Sequence, residues 1–178
     1  MEWTDQGIVL SARPHGEGGM VVALLTHDHG RHAGFVPGGG SRRARPVWQL
    51  GNLVEVSWRA RLSEQLGNYA GELREAHAAR ALDDAAQLAG LSAACALLDA
   101  ALPEREPHPA MFDGFSALLG ALDHPGWPVI YVRLELGLLQ ELGFGLDLTG
   151  YFLERHVFWP HNKPLPAARA RFMETLQR

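Results

Sequence analysis

Two kinds of hydrophobic pattern divide the chain. Up to about residue 75, apolar residues form short runs or alternate with polar ones, and glycines separate the runs. Five short strands in so small a segment favour a closed barrel, because closure leaves no exposed strand edges. The predicted strands are Gly7–Ala12, Met20–Thr26, Arg31–Val36, Gly51–Arg61 and Gly67–Leu73.

Beyond Arg74 the pattern becomes helical, with Ala and Leu dominant and prolines at the expected helix ends. One segment, Trp127–Leu142, is apolar on most sides and should lie at the centre of a helical bundle. The fold class is therefore α+β, with a five-stranded barrel at 1–75 and an all-α domain at 76–178. The predicted helices are Ala76–Leu88, Leu91–Leu102, Ala110–Leu122, Trp127–Leu142, Tyr151–Phe158 and Ala167–Leu176.

The composition is that of a folded soluble protein, with 47% hydrophobic and 20% charged residues. The single cysteine, Cys95, excludes an internal disulfide and any zinc site built on several thiolates, and it should be a buried core residue. The first residues lack the basic and apolar segments of a signal peptide. The longest apolar stretch is too short and too polar to span a bilayer. A cytoplasmic location is therefore expected.

Charge is unevenly distributed along the chain. The net charge is -4, which argues against a polyanionic partner, but residues 31–61 contain six arginines and only one acid. Residues 81–147 contain ten acids and two arginines. Because local charge decides where a polyanion docks, the N-terminal segment is the candidate DNA-binding surface. Its predicted DNA-binding residues are Arg31, Arg42, Arg43, Arg45, Arg59 and Arg61.

The segment Gly38–Arg45 is the most informative part of this surface. Its three glycines allow close approach to a ligand, and its three arginines have the planar, forked geometry that matches phosphate. It is not a nucleotide-binding P-loop, since no Gly-Lys-Ser/Thr follows. The alternative is an ordinary solvated loop between two strands.

Other candidate chemistry is weaker. Trp58 should be core and Trp48 is undecided between core and a base-stacking role. Histidines at His27, His29 and His32 lie close in sequence, but a turn between strands should point them in different directions, so no metal is predicted. No catalytic constellation emerges, and neither an enzymatic activity nor a cofactor is expected; a deep pocket lined by these histidines and Asp28 would revive that hypothesis.

Several segments, in order, resemble the RecO family of bacterial recombination mediators. They are Gly7-Ile8-Val9-Leu10, the turn His27–Gly30, the loop Pro37–Arg45, Gly51–Glu55, Leu91–Leu102, Tyr131–Leu136 and Leu142–Leu148. The resemblance implies an OB barrel followed by a helical domain. It also implies binding of single- and double-stranded DNA, annealing of complementary strands, and, with RecR, loading of RecA onto strands coated by single-strand-binding protein. A location at the bacterial nucleoid follows from the same resemblance.

In such proteins the acidic C-terminal tail of single-strand-binding protein docks on the helical domain. The resemblance suggests Arg133 as the residue that binds its carboxylate, with Leu138 and Leu142 as apolar neighbours. The alternative is that Arg133 pairs with Glu135 or Glu141 inside the bundle.

The chain departs from the family pattern after Leu148, where relatives carry a further segment, often with zinc-ribbon cysteines. That segment is absent, so zinc is not expected, and contacts with RecR are in doubt. A second hypothesis follows: a protein-interaction module that binds single-strand-binding protein or RecR without strong DNA binding.

Overall fold

The computed structural model describes residues 1–144 and the individual residues Ala167, Arg169 and Arg171. The N-terminal part is a closed barrel in which the strands are neighbours in the order β1-β2-β3-β5-β4. The α+β class and the five-stranded, OB-type barrel followed by helices are thereby confirmed. The strands are β1 (Glu2–His15), β2 (Gly19–Thr26), β3 (Gly30–Val36), β4 (Leu53–Arg59) and β5 (Asn68–Glu75).

Strand β1 closes the barrel because it pairs with both β2 and β4. Its first half pairs with β4 and its second half pairs with β2, and the register shifts between Val9 and Ser11. Such a bulge increases local twist and bends the strand. The sequence predicted only Gly7–Ala12 for this strand, because the polar residues Thr4 and Asp5 interrupt the apolar pattern that marks its start.

A single residue, Ala76, separates the last strand from the first helix. They are α1 (His77–Ala81), α2 (Ala85–Ala101), α3 (Pro109–Gly120) and α4 (Trp127–Glu141). The predicted helices Ala76–Leu88 and Leu91–Leu102 are wrong in their division, since α2 runs through the expected gap. The break lies at Asp84 instead, whose carboxylate accepts hydrogen bonds from the backbone N–H groups of Ala86 and Gln87. The predictions Tyr151–Phe158 and Ala167–Leu176 lie outside the described residues, apart from the helical Ala167, Arg169 and Arg171.

Two hydrophobic clusters stabilise the described part of the chain. One fills the barrel and includes Val54, Val56 and Trp58, the alternating residues of β4. The other joins the outer surface of the barrel, through residues such as Ile8 and Leu25, to the apolar faces of α2, α3 and α4. The barrel and the helices therefore share this second cluster as a common core. The boundary at residue 75 remains a prediction about domains.

Cys95 lies in this shared core, as expected from the sequence. It is 1% exposed, and burial raises the pKa of its thiol. Its Sγ lies 3.6 Å from the carbonyl oxygen of Val9 on β1, so α2 packs directly on the barrel wall. The thiol is held neutral and inaccessible, which indicates a packing role.

Helix α4 is less buried than its composition predicted. Tyr131, Leu134 and Leu138 are buried, but Val129 is 59% exposed and Arg133 is also on the open side. One face of α4 is therefore accessible. No helix in the described ranges combines the length and apolar character needed to cross a bilayer.

Candidate nucleic-acid interface

The arginine-rich loop connects β3 to β4 and is held in place by its own backbone. The N–H of Gly40 donates to the carbonyl of Gly18 in the β1–β2 turn at 3.1 Å. Ser41 closes a turn: its carbonyl accepts from Arg45 N–H at 2.9 Å and its Oγ accepts from Ala44 N–H at 3.3 Å. These hydrogen bonds fix the backbone of the loop against the barrel, so its side chains extend from a defined position.

A buried asparagine anchors the end of the loop. Asn52 is 1% exposed, and its Nδ2 donates to the carbonyls of Pro46 and Val47 at 2.9 and 3.3 Å. Its Oδ1 accepts from the N–H of Ala78 on α1 at 3.2 Å. This contact links the loop to the first helix. Sequence analysis did not identify Asn52, because nothing in the sequence marks an asparagine as an anchor before its neighbours are known.

Three cations occupy the exposed side of this loop. Arg42, Arg43 and Arg45 are all solvent-exposed. In the part of the chain that the structure describes, no hydrogen bond or ion pair engages their side chains. Guanidinium groups in this state are free to bind phosphate oxygens with paired N–H donors.

Two further arginines follow from β4: Arg59 is the last residue of this strand, and Arg61 lies just beyond it. Phe35, near the end of β3, is in register with Asn68 of β5, and Asn68 is in register with Arg59. Two strand spacings amount to about 10 Å, so Arg59 lies close to the backbone from which the arginine loop starts. Its guanidinium binds the Glu2 carboxylate at 2.8 and 2.9 Å. Arg61 follows in the next connection and is exposed.

Arg31 has a different environment. Its side chain points from β3 towards α2 and is only 17% exposed. Its Nε donates to the carbonyl of Leu102 at 2.8 Å, and its guanidinium lies 3.3 Å from Asp99 and 3.4 Å from Glu104. These contacts occupy the cation within the fold, so Arg31 holds barrel and helices together. DNA binding by Arg31 remains untested, and the structure does not group it with the loop arginines.

The aromatic residues of this region belong to the barrel interior. Trp58 is 2% exposed, which confirms the prediction that it is core, and its Nε1 donates to the carbonyl of Leu66. Trp48 is 4% exposed and stacks on Tyr69 at 6.5 Å, so the undecided residue is also core. Burial raises the pKa of the Tyr69 phenol. None of these three rings is available for stacking on a base.

The three histidines have separate partners. His27 contacts Asp28 at 2.5 Å, His29 contacts Asp5 at 2.9 Å, and the buried His32 contacts the hydroxyl of Tyr69 at 2.9 Å. Among the described residues, no three His, Cys, Asp or Glu side chains are arranged to hold a metal ion.

A cavity of about 500 Å³ includes Asp28, His29 and His32 but not His27. Trp3 and Arg105 also line it, and Trp3 stacks on His29 with ring centroids 4.1 Å apart. The ring faces and nitrogens in this cavity are thus largely engaged with neighbouring side chains. The arrangement does not assemble the four residues on which an enzymatic hypothesis would rest.

A second candidate surface lies on α4. Arg133 is exposed, whereas Glu135 binds Arg169 at 2.8 Å and Glu141 binds His108 at 2.8 Å. The alternative that Arg133 pairs with Glu135 or Glu141 is therefore wrong.

The predicted neighbours Leu138 and Leu142 need correction too. At about 100° per residue, they lie about 140° and 180° around the helix from Arg133. Leu138 is 3% exposed within the core, and Leu142 packs partly against the same cluster. The exposed apolar residue one turn from Arg133 is Val129.

A groove of about 1090 Å³ adjoins the arginine loop. Its walls are the second half of β1, the β1–β2 turn, the loop and one side of α2. Arg45 lines it from the loop, and Arg13 of β1 lines it from the other wall. Nothing in the sequence marks Arg13 as a binding residue, because it stands alone in its segment and only the folded chain brings it to the same groove as the loop.

Comparison with known proteins identifies the family. The family profile described as "Recombination protein O N terminal" matches residues 1–76, and that described as "Recombination protein O C terminal" matches residues 82–153. A protein of Rhodospirillum centenum named "DNA repair protein RecO" is 45% identical over 98% of this chain and 94% of its own length. A relative of the same name from Rhodospirillum rubrum is 38% identical over 100% of this chain and 97% of its own length.

This chain belongs to the RecO family of DNA repair proteins.

The alignment lengths show that relatives of this RecO-family chain contain residues without a counterpart here. The R. centenum alignment extends over 235 positions, more than the 178 residues of this chain, so part of that relative has no counterpart here. A RecO of Cereibacter sphaeroides aligns over only 149 residues, at 50% identity, covering 84% of this chain and 62% of its own length.

Proposed function

We propose that this RecO-family chain is a recombination mediator that binds DNA through its arginine loop. In this proposal it binds and anneals single-stranded DNA, also contacts double-stranded DNA, and helps to load RecA onto strands coated by single-strand-binding protein, in concert with RecR. The supporting observation is the loop itself. Arg42, Arg43 and Arg45 stand exposed and without partners in the described structure, on a backbone fixed by hydrogen bonds.

The proposed surface also explains how a chain of net charge -4 can bind a polyanion. The nine acids within residues 81–144 belong to the helical part, whereas the loop cations project from the barrel. Phosphate contacts of this kind position a strand without reading its sequence. Binding should therefore be insensitive to sequence and strongly dependent on salt.

The test is a titration with a fluorescent single-stranded oligonucleotide across a range of salt concentrations. Each phosphate contact on a single strand contributes about -0.7 to the slope of log affinity against log salt. Replacing Arg42 and Arg43 together by Glu should weaken binding of every sequence and flatten this slope. Arg80→Glu is the control for a charge reversal outside the loop, since Arg80 is exposed on α1. Unchanged binding by the double variant would refute the loop as the DNA site.

A specific observation favours a second interaction on α4. Arg133 is exposed one turn from Val129, which is 59% exposed, so a cation and an apolar side chain are presented together. This pair suits a peptide that ends in an apolar residue and a carboxylate, and we propose it as the docking site for the tail of single-strand-binding protein.

A fluorescent tail peptide tests this site. Arg133→Ala and Val129→Ser should each weaken peptide binding, whereas Arg80→Ala should not. Unchanged affinity in both α4 variants would exclude this face. Capture of the peptide by a chain that shows no affinity for bare DNA would favour the second hypothesis, an interaction module without strong DNA binding.

A further inference from the structure

The groove beside the arginine loop has a basic character that the loop alone does not explain. Among the described residues, three charged side chains line it: Arg13, Arg45 and Asp99. The Arg13 side chain is 78% exposed and its guanidinium is 3.9 Å from the Asp99 carboxylate, the limit of an ion pair. Asp99 is itself 18% exposed and lies closer to Arg31, at 3.3 Å. The negative charge in the groove is therefore already balanced from within the fold.

Cations occupy opposite walls of this groove. Arg13 belongs to β1, and Arg45 belongs to the loop that Gly40 and Asn52 fix to the barrel. Because both walls are anchored, the fold sets the positions of the two backbones from which these guanidinium groups extend. Two cations along one channel favour a linear polyanion over a single small anion.

The surface between the cations is mainly apolar. Leu50 of the loop and the half-buried Ala96 and Ala100 of α2 present apolar side chains to it, whereas Leu10, Met20 and Trp48 lie buried beneath this surface. Leu50 is 36% exposed. An apolar surface flanked by cations matches a single strand, whose bases are free to leave water while its phosphates meet the cations. In a duplex the faces of the bases are stacked on one another, so they cannot pack against such a surface.

We propose that this groove binds a segment of single-stranded DNA, with phosphates at Arg13 and Arg45 and bases against the apolar surface between them. The inference rests on the proposed DNA-binding function and adds a second element to it. The arginine loop attracts either form of DNA, and the groove favours the single strand.

Filling the groove tests the proposal without changing its charge. Ala96 is half-buried on the α2 side of the groove, and Ala96→Trp would place a large ring there. Because the ring would fill space that the bases need, this variant should lose about tenfold in affinity for single-stranded DNA, about 1.4 kcal/mol. Its affinity for a duplex of equal length should hardly change. Ala117→Trp is the control, because Ala117 is exposed on α3 and does not line the groove.

Arg13→Gln provides a second test at an exposed side chain, where misfolding is not expected. Single-stranded DNA should bind with a salt slope smaller by about 0.7, the contribution of one phosphate contact. Duplex binding should keep its slope.

The outcomes separate this inference from the proposed function. If the loop variants weaken binding while Ala96→Trp and Arg13→Gln leave single-strand affinity unchanged, the groove proposal is overturned and the loop remains the DNA site. If the groove variants weaken single-strand binding and the loop variants do not, the groove is the DNA site and the proposal for the loop is overturned. If Ala96→Trp instead abolishes binding of an acidic peptide and spares DNA, the groove is a peptide site. A wild-type chain that binds no DNA overturns both.

Discussion

The guanidinium of Arg31 lies 3.3 Å from the carboxylate of Asp99, which joins the barrel strand β3 to helix α2. Both side chains are less than one-fifth exposed. The same arginine donates to the carbonyl of Leu102, and its own carbonyl accepts from the N–H of Arg105. One residue thus connects the barrel to the end of α2 and to the segment that follows it.

Truncating Arg31 should therefore destabilise the fold. Arg31→Ala would leave the Asp99 carboxylate and the Leu102 carbonyl without this donor in a partly buried setting, and we expect a loss of about 2 kcal/mol or more. Arg59→Ala is the comparison, because its pair with Glu2 is exposed and should contribute about 0–1 kcal/mol. Urea unfolding of both variants measures the difference. Equal stability losses would contradict a joining role for Arg31.

Gly30 has no room for a side chain, because the backbone of a distant segment packs against it. Its φ is +67°, and a Cβ there would collide with the backbone of Glu106. Gly16 has a similar φ of +60° but open space around it. Gly16→Ala should cost about 1–2 kcal/mol, the penalty of the left-handed conformation, and Gly30→Ala clearly more. Thermal unfolding of the two variants makes the comparison, and equal costs would show that the contact with Glu106 is easily displaced.

The barrel was the more predictable half of the fold. Alternation in β4 and glycines between the strands are local signals, so all five strands were anticipated. Contacts between segments that are distant in sequence have no such local signal and could not be predicted. Arg31 looked like a surface cation because neither Asp99 nor Leu102 is near it in sequence. Arg13 and Asn52 gave no signal for the same reason. The apolar neighbours predicted for Arg133, Leu138 and Leu142, lie on a different side of α4, because the sequence pattern does not show which face of the helix packs on the core.

The break between α1 and α2 shows a local signal that could have been weighed more heavily. Asp83 and Asp84 form an acidic pair of the kind that favours a helix start, but the predicted helix Ala76–Leu88 runs through them. Asp84 caps α2, and its replacement by Ala should cost about 1 kcal/mol. Asp83→Ala removes a neighbouring exposed acid and should change stability by less than about 0.5 kcal/mol. Equal effects on chemical denaturation would indicate a general charge effect rather than a cap.

Stability should also fall as the solution becomes acidic, partly through His32. The ring is 4% exposed and contacts the Tyr69 hydroxyl, and burial lowers its pKa from 6.5 to about 4. A base whose folded-state pKa is depressed takes up its proton more readily when unfolded. Its contribution is therefore fully present above pH 6.5 and is lost as the pH falls from 6.5 towards 4. Below about pH 4 both states are protonated, and the loss from this residue ends.

Replacing His32 by Gln should flatten the pH dependence of the free energy of unfolding between pH 6.5 and 4. Some slope should remain, because burial also lowers the pKa of His77 and acts in the same direction. His15→Gln, at an exposed position, is the control and should leave the slope as it is. The variant will be less stable at pH 7 if its amide packs poorly against Tyr69, so the slope rather than the absolute value is compared. A His32→Gln curve parallel to that of the wild type would show that this histidine does not titrate with unfolding.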